Sequence, residues 1–172
     1  MSSAVPLQYW DSCVFIEFLA REDEQRVNEI RELIRDAQAG RVRVIVSQLL
    51  RAEIVPFAAN DQAHSDIIDD FLLSARGVVR FVDVTRSIAE DARRLVADRT
   101  AERLTVPDAI HLATALQYEV DVFFTYDGVK DRLRNRSRGL LGLDETLGSP
   151  LLKIRVPRAD WGPLFEGLQA PS

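Results

Sequence analysis

The chain has 172 residues, 47% hydrophobic and 28% charged, the size and composition of one globular domain able to bury a real core. Its formal net charge of −5 excludes a protein that holds nucleic acid by bulk charge, while leaving room for a local basic surface. Cys13 is the only cysteine, which excludes an intrachain disulfide and fits a reducing, cytoplasmic setting, and no stretch reads as a signal peptide or reaches the roughly 18 apolar residues of a membrane span.

The elements follow in order. "VPLQYW" (5–10) reads as a strand, short and rich in bulky residues, and "SCVFIEFLA" as a short, mostly buried helix. "EDEQRVNEIRELIRDAQAG" has Val27, Ile30, Leu33, Ile34 and Ala37 at helical spacing, acids in its first turn and Gly40 as its stop. "VRVIV" (42–46) is a β-branched strand, after which Ser47 is placed to cap a helix holding "QLLRAEIV". Pro56 should bend or end that helix. A helix is expected near 61–75, carrying Ile67, Ile68, Phe71 and Leu72, and "VVRFVDV" (78–84) is the third strand. Thr85 or Ser87 opens a helix with Ile88, Ala92, Leu95 and Val96 on one face. "TVPDAIHLATALQYE" is another, with Thr105 as cap and Pro107 in its first turn. "VDVFFT" (120–125) is a strongly apolar strand and "LLKIRV" (151–156) a fifth. Strands alternating with helices are the signature of an α/β domain with a largely parallel sheet covered on both faces. The expected layout is one domain over 1–156 and an irregular, proline-containing tail over 157–172.

In such sheets, sites form beyond the carboxyl ends of the strands. Asp11 follows the first strand, and Asp127 follows the fourth by two residues. Glu53 is expected about two turns into the helix that leaves the second strand. Asp108 lies in the first turn of the helix before the fourth, at the edge of the buried stripe of Ala109, Leu112, Ala113 and Leu116. Each acid taken singly has an ordinary reading. Asp11 serves as a helix cap, Asp108 imitates a capping box with Thr105, Glu53 is a solvated helix residue, and Asp127 before Gly128 is a turn residue. Together they form a different proposition, because clustered carboxylates repel unless cations screen them. An all-oxygen set suits Mg²⁺ or Mn²⁺ rather than zinc, and such metals support phosphodiester hydrolysis.

Asp11-Ser12, "SQLLRAEIV", "VPDAIHLATAL" and "VFFTYD" resemble the motifs of the PIN domain, in particular those of the VapC-type ribonuclease toxins of bacterial toxin–antitoxin pairs. The resemblance spans about residues 5–130, and "PDAIHLATA" followed by "TYD" is its most specific part. It implies a three-layer α/β/α fold with a largely parallel sheet of about five strands, and a Mg²⁺- or Mn²⁺-dependent endoribonuclease. Carried over by motif, the metal-binding and catalytic acids are Asp11, Glu53, Asp108 and Asp127. Ser12 and Thr125 match the hydroxyl residues often found beside the first and last acids. Cys13 stands where small polar residues are common, which puts a supporting hydrogen bond in question. The resemblance also implies a companion antitoxin and a homodimer. It does not explain residues from about 136 onward.

Lys130, Arg132, Arg134, Arg136 and Arg138 alternate, which in an extended loop lines one face for RNA phosphates and otherwise makes a solvated segment. Asp131 is an accessory acid or a solvated one. His111, three residues after Asp108, is within reach of the site, though an interior or structural role is expected, and His64 is expected to lie at the surface. No histidine partner supports thiol catalysis at Cys13. A Walker-type phosphate loop is absent, and an aspartyl-phosphate site would want an acid at position 13. The alternative from another class is a catalytically weak PIN fold that serves as a protein- or RNA-binding module.

Overall fold

Strand β1 (Leu7–Trp10) occupies the middle of the sheet in the computed structural model, which describes residues 5–54, 78–99, 104–128 and 139–159. It is followed by α1 (Ser12–Ala20), α2 (Glu24–Gln38), β2 (Arg43–Ser47), the short α3 (Leu50–Glu53) and β3 (Val79–Val82). Then come α4 (Arg86–Asp98), α5 (Val106–Gln117), β4 (Val122–Phe124), a 3-10 turn at Leu140–Leu143 and β5 (Ile154–Arg155). The five strands form one sheet in the order β3-β2-β1-β4-β5, and every pairing is parallel. The register sets Tyr9 beside Ile45 on one flank and Phe123 on the other.

Successive strand residues turn to opposite faces, and this alternation builds two cores. Trp10, Val44, Val46, Val79, Val122 and Phe124 pack with Val14 and Phe15 of α1 and Ile30 and Leu33 of α2. Tyr9, Ile45, Phe123 and Ile154 turn the other way, onto Leu112 and Ala115 of α5 and onto Leu140 and Leu143. Helix α4 completes that layer through Ile88 and Ala92, which meet Ala109 and Ala113 of α5. The result is the expected three-layer α/β/α arrangement. Burial on both faces is why the strands read as almost unbroken apolar runs.

Side-chain caps set where the helices begin. Asp11, Asp23, Thr85 and Thr105 accept from the backbone N–H of Ser12, Arg26, Ile88 and Asp108 respectively. Ser47 does not act this way. It is the last residue of β2, and its Oγ accepts from Leu49 N at 3.1 Å within the turn that precedes α3. Helix α3 has only four residues, so Glu53 is its last residue rather than two turns in. The backbone leaves helical geometry at Ile54, with ψ at 78°. The strands are shorter than their apolar runs, β5 most of all with two residues, each paired with β4. The helix expected near 61–75 and residues 160–172 of the expected tail lie outside the described residues. Among the described residues no helix is long and apolar enough to cross a membrane.

Candidate active site

Parallel pairing of β1 with β4 brings two chain segments to the same carboxyl edge. Asp11 N donates to Phe124 O at 3.0 Å, so Asp11 and Thr125 face each other across the strand ends. Thr125 Oγ1 donates to Asp11 Oδ2 at 2.8 Å, and Cys13 Sγ is 3.1 Å from the same oxygen. The other oxygen, Oδ1, accepts from Ser12 N at 2.8 Å, with Ser12 Oγ at 3.5 Å. Asp11 is therefore both the cap of α1 and a buried carboxylate at the sheet edge, 4% exposed. Burial, reinforced by the charge of Asp11, pushes the Cys13 thiol well up, so it stays protonated and can donate. Cys13 thus keeps the supporting hydrogen bond that its identity had put in question, and its sulfur also accepts from Tyr126 N at 3.1 Å.

Asp127 is tied into the same network. Its N–H donates to Thr125 Oγ1 at 3.0 Å, and its Oδ2 accepts from Leu140 N at 2.8 Å. The second contact draws the 3-10 turn against the strand end, and Gly139 makes that approach possible. Its φ is +30°, and a Cβ there would stand 2.5 Å from Gly128 N. Asp127 is thus a turn residue that also faces the carboxyl edge where Asp11 lies.

Asp108 enters from α5. Thr105 Oγ1 accepts from Asp108 N at 3.3 Å as the helix cap and donates to Asp108 Oδ2 at 2.5 Å, so one hydroxyl makes both contacts. Even so, the Asp108 carboxyl is raised above its usual range. Burial is the largest cause, and the negative charges of Asp11 and Asp127 add to it against the opposing Thr105 bonds. Glu53 arrives from α3 and meets His111, whose Nε2 is 2.6 Å from Glu53 Oε2 and 3.9 Å from Asp11 Oδ1. Burial pulls the His111 pKa down, but the Glu53 hydrogen bond and the charges of Asp11, Glu53 and Asp108 outweigh it, so the net shift is upward.

The four expected acids, each from a different element, are thus linked by charge, directly or through His111, at the carboxyl edge of the sheet. Their chemistry, all oxygen and mutually repulsive, fits a hard divalent cation. Their present spacing is looser: among the described residues, no three His, Cys, Asp or Glu side chains stand together as a ready cage for a metal ion. Each carboxylate instead holds a local donor. Asp131, Lys130, Arg132, Arg134, Arg136, Arg138 and His64 lie outside the described residues.

The PIN domain family profile matches residues 9–135, which take in all four acids. The chain belongs to the PIN domain family. In fold, this PIN domain is similar to DNA-bound VapBC from Salmonella typhimurium (TM-score 0.58, 14% identity, covering 88% of this chain and 98% of that one). It is likewise similar to VapBC2 from Rickettsia felis bound to a DNA fragment from their promoter (TM-score 0.55, 11% identity, 87% and 98%). A third similar structure is FitAcB from Neisseria gonorrhoeae (TM-score 0.53, 20% identity, 70% and 87%). No curated protein matches the sequence. The structural likeness agrees with the resemblance to VapC-type toxins read from the motifs.

Sequence reasoning set His111 within reach of the site in this PIN domain but missed its links to Glu53 and Tyr9. His111 is interior as expected, at 1% exposure, yet it also touches the site. Its place three residues after Asp108, on the same helix face, was the available signal. Tyr9, two residues before Asp11, gave none.

Proposed function

We infer that this PIN domain is a Mg²⁺- or Mn²⁺-dependent endoribonuclease, acting in the cytoplasm as the toxin of a toxin–antitoxin pair. The observation that carries this reading is the charge coupling at the sheet edge, where Asp11 after β1 and Asp127 after β4 help to raise Asp108 of α5. Acids that repel one another across this edge favour a cation between them. Asp11, Glu53, Asp108 and Asp127 would hold it. When bound, such a cation supplies Lewis-acid activation of water and charge stabilisation at the leaving oxygen of a phosphodiester.

The chain's own residues do the positioning. Thr125 and Cys13 fix Asp11 through one oxygen. The Leu140 N–H aims Asp127, and the Thr105 hydroxyl aims Asp108. Lys130, Arg132 and Arg134 are assigned to RNA phosphates on the strength of their alternation alone. An acidic cleft also invites an arginine or lysine from an antitoxin, and the fold likeness to VapBC assemblies supports such a partner, while a toxin homodimer is proposed from the motif resemblance.

The test is cleavage of RNA by the purified chain with Mn²⁺, with Mg²⁺ and with chelator, for wild type and Asp11→Asn. Cleavage that needs both metal and Asp11 is expected, whereas cleavage by the metal-free protein would sink the mechanism. The second reading, a binding module, draws on the lack of a ready metal cage among the described residues. RNA or antitoxin bound without any cleavage, at saturating Mn²⁺, would favour it.

A further inference from the structure

The ring of His111 is engaged at both nitrogens. Nδ1 lies 2.6 Å from Tyr9 Oη, and Nε2 lies 2.6 Å from Glu53 Oε2. Tyr9 is held in turn. Its Oη accepts from Ser47 N at 3.0 Å, and its ring stacks on Phe123 with centroids 5.0 Å apart and planes 6° from parallel. A chain of contacts thus runs from the backbone of β2 through Tyr9 of β1 and His111 of α5 to Glu53 at the end of α3. Glu53 needs such help. Its helix is four residues long, and its flexible side chain remains 23% exposed.

The proton placement follows from the distances. An ionised carboxylate oxygen 2.6 Å from Nε2 requires a proton on that nitrogen, because a ring lone pair there would face an oxygen lone pair. The same nitrogen is 3.9 Å from Asp11 Oδ1, so one N–H stands beside carboxylates that belong to two different elements. We propose that His111, steadied by Tyr9, is the positioning residue that carries Glu53 to the acidic edge, its Nε2–H lying between Glu53 and Asp11 in the metal-free protein. The consequence for metal binding and catalysis rests on the nuclease reading above; the hydrogen-bonded clasp itself does not. Partners that orient metal-binding side chains are typically worth about 10–100-fold in metal affinity or activity.

The test begins with the metal-free full chain. Nitrogen-15 and proton NMR should show a slowly exchanging, low-field His111 Nε2 proton that shifts in Glu53→Gln and stays in place in Asp127→Asn. A His111 whose Nε2 carries no proton at neutral pH would overturn the proposal. Mn²⁺ binding, followed by titration calorimetry, should weaken by about tenfold or more in His111→Leu. It should weaken less in Tyr9→Phe, and His111→Gln, which keeps a side-chain N–H donor, should recover part of the loss. In RNA cleavage the same variants should lower kcat with little change in KM. A folded His111→Leu with wild-type Mn²⁺ affinity would also overturn the proposal. If His111→Leu does not fold, Tyr9→Phe and His111→Gln decide by the same measures. If the wild type cuts no RNA, the nuclease reading fails, and the clasp is judged on the proton signal and Mn²⁺ affinity. If the wild type binds no Mn²⁺ either, the proton signal alone decides.

Discussion

Two buried acids at α1 differ in how their charge is answered. Glu17 lies within the helix and Asp11 caps it, at 9% and 4% exposure. Glu17 Oε2 accepts from Arg26 at 3.0 Å, its Oε1 accepts from Asp23 N at 3.0 Å, and the guanidinium of Arg26 sits 4.9 Å from the centre of the Tyr126 ring. Among the described residues, Asp11 accepts from neutral groups, the Ser12 N–H and hydroxyl, the Cys13 thiol and the Thr125 hydroxyl, with His111 Nε2 at 3.9 Å. A buried carboxylate without a cation costs free energy unless something else supplies the charge. Glu17 brings its counter-charge within the chain and belongs to the architecture. Asp11 is held by dipoles, with a histidine rather than a guanidinium nearby, the setting that the proposed cation-binding role asks of it.

The largest expected effect breaks this contrast from the Asp11 side. Asp11→Asn should lower RNA cleavage by about a thousandfold, the scale of removing a catalytic group. Its melting temperature without metal should hold or rise, since like charges are relieved at Asp108. Glu17→Gln should leave cleavage near wild type. Equal losses from both variants, in a steady-state assay on folded protein, would erase the distinction.

Stability should respond in the opposite sense. Arg26→Met leaves Glu17 buried and unpaired, and it should cost about 2 kcal/mol in urea denaturation. That figure falls between an exposed pair and a fully buried one, because Arg26 is 36% exposed. Gly139→Ala is of similar or smaller size, about 1–2 kcal/mol, through its positive φ and the clash with Gly128. It should also lower kcat, because it moves the Leu140 N–H away from Asp127, and a kcat unchanged beside a reduced melting temperature would show that Asp127 does not depend on that contact.

The smallest effect is in pH. The folded His111 pKa is raised: burial lowers it, but the Glu53 hydrogen bond and the charges of Asp11, Glu53 and Asp108 more than compensate. A raised folded value means that protonation stabilises the fold fully below the unfolded value of 6.5, and that this contribution is lost as pH rises through the folded value. The melting temperature of the metal-free wild type should therefore fall as pH rises past 6.5, and His111→Gln should flatten that slope. Removing Glu17 should leave the slope as it is.

The elements and the acids were legible to different depths, for a physical reason. Val27, Ile30 and Leu33 on α2, or Thr105 and Asp108 at the start of α5, interact over three or four residues, and such spacing is written in the chain itself. The end of α3 was not, because a short helix is held by what packs on it rather than by its own propensity.

The sequence by itself determined the alternation of strands and helices, the cap at Thr105, a cap at either Thr85 or Ser87, and the four acids with the motifs around them, since local propensity, periodicity and residue type suffice for these. Only the tertiary structure decided that Asp11 rests on Thr125, 114 residues away, that His111 meets Tyr9 across 102 residues, and that it meets Glu53 across 58. A histidine on an apolar helix face has the same local signature whether its nitrogens find backbone, water or carboxylate. What it finds depends on which strands pair and in what register, and that is settled by burying both faces of the sheet at once.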